Sequence, residues 1–266
     1  MSPAPPAGEL LDDLGAVVPL AGPPRRVVSL VPSLTEAIAR SRPGLLVGAT
    51  DWCSQPADLR VRRVRGTKNP DLRAIAELRP DLVIGNQEEN RELDVRRLRA
   101  AGTPVWVSRI ETLEQAFDSM DRLFGQVLAD PAEPRPLPEW LVQARARWRL
   151  PAAESRRPRV VVPIWRDPWM VVGSRTFTGD LLSRLGVVNA FAEHPERYPA
   201  VSLDQIAEAA PDLVLLPDEP YPFSATDGPE AFPTGLATVL VSGRALTWYG
   251  PSLLTARDEL TAALAR

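Results

Sequence analysis

Two stretches of this chain repeat one another at a spacing of 131 residues. Leu72 to Glu88 and Leu203 to Glu219 share the order of a short amphipathic segment, a Pro-Asp pair, an apolar run and a polar loop. Ile75-Ala76-Glu77 matches Ile206-Ala207-Glu208, Pro80-Asp81-Leu82-Val83 matches Pro211-Asp212-Leu213-Val214, and Glu88 matches Glu219. The prolines end a helix, because proline disfavours helical backbone at the residue before it. The apolar runs that follow, Leu82 to Ile84 and Leu213 to Leu216, suit strands buried in a parallel sheet. Helix, Pro-Asp, strand is a common α/β phrase and could recur by chance. The shared offset and the matched glutamates favour duplication.

Weaker echoes flank this core. Arg26-Val27-Val28 pairs with Arg159-Val160-Val161, and Val105 to Ser108 pairs with Val239 to Ser242. Each half therefore alternates strands and helices, which predicts an α/β fold of two Rossmann-like lobes with parallel sheets. The expected limits are residues 1–130 for the first lobe and 158–266 for the second, with an inter-lobe backbone helix in 131–157. Thr112 reads as an N-cap for a helix carrying Leu113, Ala116, Phe117, Met120, Leu123, Phe124 and Val127. A proline-rich break at Pro131 to Pro138 precedes a second helix from about Glu139 to Leu150. A helical linker is stiff.

Composition narrows the functions. The net charge of −3 leaves no overall basic character, so nucleic acid is not an expected partner. Lys68 is the only lysine, and Cys53 the only cysteine, so no intramolecular disulfide forms. Met1 to Leu20 has neither a basic start nor a continuous apolar stretch and carries Glu9, Asp12 and Asp13. No stretch is long enough for a membrane span. The expectation is a cytoplasmic chain without membrane insertion, or an extracytoplasmic one if a leader has been removed.

Ligands of open parallel sheets bind beyond the carboxyl ends of the strands. In the first half those loops hold Ser33, Trp52, Lys68, Asn69, Asn86, Glu88, Glu89, Asn90 and Arg109. In the second they hold Trp165, Arg166, Trp169, Phe177, Glu219, Tyr221, Trp248 and Tyr249. Aromatic walls with a few polar groups suit a large, partly apolar, planar ligand. The competing reading is that some rings cap or pack the lobes. Glu88, Glu89 and Glu219 are candidates for metal coordination, cation binding or simple solvation. Arg109 and Arg166 could pair with carboxylate or amide groups of a ligand.

His194 is the only histidine, so no imidazole cluster holds a bare transition metal, and no cysteine cluster replaces it. No metal site of the protein's own is expected; a metal would arrive inside an organic chelate. The phosphate-binding glycine loops, the zinc-protease motif and the nucleophile elbow are all missing, and no catalytic residue is assigned.

From about Arg25 to Gly250 the chain resembles the cobalamin-type periplasmic binding proteins of the helical-backbone metal receptor superfamily. The phrases that carry the resemblance are RVVSLVPSLTE (Arg26 to Glu36), GATDWCSQP (Gly48 to Pro56), GTKNPDLRAIAELRPDLVIGNQEEN (Gly66 to Asn90), DPWMVVGSRTF (Asp167 to Phe177), YPAVSLDQIAEAAPDLVLLPDEPYPF (Tyr198 to Phe223) and WYGP (Trp248 to Pro251). The resemblance implies a class III periplasmic binding protein-like fold, with a long rigid helix between the lobes and the ligand in the inter-lobe cleft. It implies cobalamin or a related corrinoid as ligand, with haem or a siderophore as alternatives, and no covalent cofactor. It also implies delivery to an ABC transporter permease docked through one acidic residue per lobe. Here Arg73 stands beside Asp71 near the first such position and Asp204 near the second. A reversed charge works against docking. Gln55 and Ser252 replace a histidine and an arginine usual in the family pattern. Three readings follow: a binding or carrier protein for a bulky metal chelate, a cytoplasmic enzyme that recruits the same loops and their carboxylates for biosynthetic chemistry, and an interaction module without a small ligand.

Overall fold

The computed structural model describes residues 9–149 and 157–265. The first eight residues, and the end of the expected inter-lobe helix at 150–156, lie outside the described residues. The chain forms two compact units: residues 1–110 with 115–142, and residues 111–114 with 143–266. The chain therefore passes between the units three times, at 110/111 ahead of a helix and at 114/115 and 142/143 within helices.

The first unit opens with β1 (Val27–Ser29), α1 (Pro32–Ser41), β2 (Leu46–Ala49), β3 (Arg62–Arg63) and the two-residue strands β4 (Arg65–Gly66) and β5 (Asn69–Pro70). It continues with α2 (Leu72–Glu77), β6 (Leu82–Asn86), α3 (Glu92–Ala100) and β7 (Val105–Ser108). Strand β4 pairs antiparallel with β5, and the other five form a parallel sheet in the order β3-β2-β1-β6-β7. Helix α4 (Leu113–Arg122) runs into a π-helical turn (Leu123–Val127), and α5 (Glu139–Trp148) follows the proline-rich break. Both expected helices form. Leu113, Ala116, Phe117, Met120, Leu123, Phe124 and Val127 are all buried, as their spacing predicts.

The second unit contains β8 (Arg159–Val161), β9 (Pro163–Trp165), β10 (Met170–Val171), α6 (Phe177–Arg184), β11 (Val188–Asn189), α7 (Leu203–Glu208), β12 (Leu213–Pro217), β13 (Ala237–Val241), α8 (Gly243–Thr247) and α9 (Leu253–Leu264). Strands β9 and β10 form an antiparallel pair, and the parallel sheet has the order β11-β8-β12-β13. With β8 equivalent to β1, β11 to β2, β12 to β6 and β13 to β7, the four strands of the second sheet repeat the order β2-β1-β6-β7 of the first, and the edge strand β3 has no counterpart.

The repeated residues make the same hydrogen-bond knot in each unit. The Asp81 carboxylate accepts from the Arg26 backbone N–H at 2.9 Å, and Asp212 accepts from that of Arg159 at 2.8 Å. The guanidinium of Arg26 donates to the Leu78 carbonyl at 3.1 Å, and that of Arg159 to the Ala209 carbonyl at 2.7 Å. Those carbonyls end α2 and α7, where helices leave orphan acceptors. Thus Arg-Val-Val and Pro-Asp, distant in sequence, lock strand start to helix end.

The edges of the sheets differ. Residues 10–18 fold back against β7: the Asp13 N–H donates to the Val107 carbonyl at 3.1 Å, and Arg99 donates to the Val105 carbonyl at 3.1 Å. Asp12 holds this strap closed by accepting from the N–H groups of Leu14 at 2.9 Å and Ala16 at 2.8 Å. The Asp13 carboxylate accepts from Ser119 and Arg122, both at 2.6 Å, and from the Arg109 N–H at 3.1 Å. Burial pushes the Asp13 carboxyl up, opposed by those three donors and reinforced by Asp12.

Candidate functional site

In the first unit the loop after β6 is organised by two asparagines. The Asn86 side chain accepts from the N–H groups of Glu88 at 2.8 Å and Glu89 at 3.2 Å, and donates to Ser108 Oγ at 3.0 Å. Asn90 accepts from the Asn86 N–H at 2.8 Å and donates to the carbonyls of Thr67 at 3.0 Å and Leu30 at 3.3 Å. Both side chains are buried, and their amides tie three loops at the carboxyl end of the sheet together. Lys68 joins the same framework by donating to the Glu88 carbonyl. Glu88 and Glu89 are half-buried at the turn this framework shapes, and Asn69 and Arg109 are exposed. Ser33 is buried in the first turn of α1, its Oγ without a hydrogen-bond partner among the described residues. Trp52, in the turn after β2, is 67% exposed. Its indole nitrogen lies 3.4 Å from where a Cβ on Gly66 would stand, so it hangs over the β4–β5 hairpin.

In the second unit aromatic contacts do the organising. Trp165 and Tyr221 meet edge to face at 5.6 Å between ring centroids, and Phe177 meets Tyr249 the same way at 5.7 Å. Trp169 stacks on Phe223 at 5.8 Å and touches Phe232 edge-on at 5.4 Å. These last three rings belong to the core cluster of the unit, so Trp169 packs the loop from beneath. Arg166 lies 5.4 Å from the Trp169 ring. Its guanidinium is clamped by the carboxylates of Asp227 and Glu230, and this hydrogen bond holds the Glu230 carboxyl below its usual range. Tyr221 donates to the other Asp227 oxygen at 2.8 Å, which, with lesser help from burial, keeps its phenol protonated to higher pH.

Glu219 and Trp248, both named from sequence, come together. The buried Trp248 indole donates to the Glu219 carboxyl, whose other oxygen, Oε1, is buried without a hydrogen-bond partner among the described residues. Burial is the main reason its pKa is raised; Asp218 adds to the shift, while the Trp248 hydrogen bond and Arg244 oppose it. A Cβ at Gly243 would lie 2.5 Å from the Glu219 carbonyl oxygen and 2.9 Å from its nitrogen, so only glycine lets α8 begin there.

Sequence reasoning missed Asp227 and Glu230. They lie 61 and 64 residues beyond Arg166, and their D-x-x-E spacing was the only local signal. Thr67 and Leu30 were missed because they contribute backbone carbonyls, which carry no residue signature. Among the described residues, no group of three or more His, Cys, Asp or Glu could hold a metal ion, and no helix is long and apolar enough to cross a membrane.

Residues 33–231 match the family described as periplasmic binding protein. The chain belongs to that family. Among curated relatives of this family member is the vitamin B12-binding protein of Vibrio cholerae serotype O1, 25% identical over 195 residues, covering 73% of this chain and 70% of the relative. A second is the vitamin B12-binding protein of Pectobacterium carotovorum subsp. carotovorum, 22% identical over 244 residues, covering 91% and 88%. Among solved structures, the periplasmic vitamin B12 binding protein BtuF of Vibrio cholerae superposes with a TM-score of 0.73 at 20% identity, covering 91% of this chain and 97% of that one. The periplasmic haem-binding protein RhuT from Roseiflexus sp. RS-1 gives 0.72 at 22% identity, with 90% and 97% coverage. The fold is that of the class III periplasmic binding proteins.

Proposed function

We propose that this chain binds a bulky, planar metal chelate, with a corrinoid as the first choice and haem as the second. One observation carries the reading. Of seven tryptophans, five are buried, while Trp52 and Trp165 are 67% and 44% exposed. Both stand just beyond the carboxyl end of a parallel sheet, Trp52 after β2 and Trp165 after β8. A large aromatic left in water is unfavourable unless something covers it, and a flat macrocycle offers the matching surface. The family, and relatives named for binding vitamin B12 or haem, support the same ligand class.

As a partner, an ABC permease belongs to this proposal. Arg73 on α2 and Asp204 on α7 are repeat-equivalent and opposite in charge. A permease that meets both must itself be asymmetric in charge.

The test is titration with cyanocobalamin, aquocobalamin and haem, followed by visible absorption and melting temperature. The expected result is a saturable, stoichiometric spectral change with a rise in melting temperature, since binding to the native state stabilises it. Trp52→Ala and Trp165→Ala should each weaken binding by up to about tenfold, the range of one aromatic contact. No response to any of the three chelates would reject the reading.

A further inference from the structure

A parallel sheet has two edges, and each exposes backbone donors and acceptors that can template another strand. The two sheets here present four edges, and three are protected. Strand β3 is two residues long, and both are exposed arginines. Strand β11 is also only two residues long. Strand β7 is covered: its outward carbonyls, at Val105 and Val107, accept from Arg99 and from Asp13 of the strap.

The fourth edge, β13, has none of these protections. It is five residues long, without bulge, in register with β12 from Leu213↔Ala237 to Pro217↔Val241. The Asp218 N–H donates to the Val241 carbonyl, so Ala237, Val239 and Val241 direct their backbone groups towards β12. Thr238 and Leu240 therefore turn theirs outward, where no hydrogen-bond partner exists among the described residues. The Leu240 side chain is 45% exposed. No charged residue, the usual guard of a free edge, occurs from Ala231 to Gly243.

We infer that β13 is a self-association edge, pairing antiparallel with β13 of a second copy about a two-fold axis at Val239. The register follows from which groups are free. Thr238 lies opposite Leu240 of the copy and Leu240 opposite its Thr238, so every outward N–H and C=O of these residues gains a partner. Val239 then faces its own equivalent as a non-hydrogen-bonded pair. The uncharged run brings no like charges face to face, which is why a second copy fits better than a charged peptide. The contact is isologous and closes at two copies, joining two four-stranded sheets into one.

The experiment is analytical ultracentrifugation of the full chain over a wide concentration range. The wild type should show a concentration-dependent species of twice the chain mass, and Thr238→Lys/Leu240→Lys should sediment as a monomer with the wild-type melting temperature. Val239→Cys should cross-link to a dimer under mild oxidation, because that pair brings its Cβ atoms close enough for a disulfide, while Cys53 is buried. If the lysine variant fails to fold, the cross-link decides. A wild type that stays monomeric throughout, a dimer that survives both lysines, or a Val239→Cys variant that does not cross-link would each overturn the inference.

Discussion

The loops after β6 and β12 occupy the same place in a duplicated sequence, yet they are held by different chemistry. The first is a polar framework in which the Asn86 and Asn90 amides bind backbone groups of three segments. The second rests on stacked rings beneath it, with an arginine clamp at its side. The duplicated strand and helix specify where a loop leaves the sheet. They leave open how it is fixed, so the two loops have diverged without disturbing the knots at Arg26 and Arg159.

The largest expected effect comes from removing the ring that supports the second loop. Trp169→Ala should destabilise the protein by ~3–5 kcal/mol, the range for a buried aromatic. By hydrogen exchange it should open residues 218–232 and leave 86–90 protected. Equal exposure of both loops would erase the contrast. Next comes Asn90→Ala, which leaves the Asn86 N–H and two carbonyls unsatisfied. A loss of about 2–3 kcal/mol in urea unfolding is expected, with the exchange pattern reversed.

Arg166→Met should cost less than either, because the two carboxylates of the clamp are partly exposed to solvent and salt. Its signature is lost salt dependence of melting in the second unit, and a loss as large as that of Asn90→Ala would mean that the clamp, not the rings, holds the loop. The smallest effect concerns Glu219. Its raised pKa means that the folded state holds the proton more tightly than the unfolded chain. The wild type therefore loses stability as pH rises from the ordinary carboxyl range through the raised value. Glu219→Gln does not titrate, so its melting temperature relative to wild type should climb over that window. A flat difference would show that the carboxyl is not desolvated.

Sequence patterns foretold what is local. Helices α2 and α7, strands β6 and β12, and α4 with α5 all follow from proline punctuation and apolar spacing. The strap at 10–18 was invisible, because Asp13 binds Ser119 and Arg122 more than a hundred residues away. The candidate loops were found by their residue types, but type does not say which way a side chain turns. Asn86 and Asn90, candidate ligand contacts by type, also brace the backbone of their loop, which sequence does not reveal. Trp165 and Trp169 sit four residues apart, one facing solvent and the other packed in the core.

The uneven burial of the indoles also gives the molecule a built-in optical reporter. Trp52 and Trp165, one in each unit, should dominate the red side of the emission spectrum and the fraction quenched by iodide, while the five buried rings emit to the blue and resist it. Each unit thus carries its own lamp beside its own loops. Replacing one exposed indole at a time with phenylalanine would show separately whether a coloured ligand dims the first, the second or both.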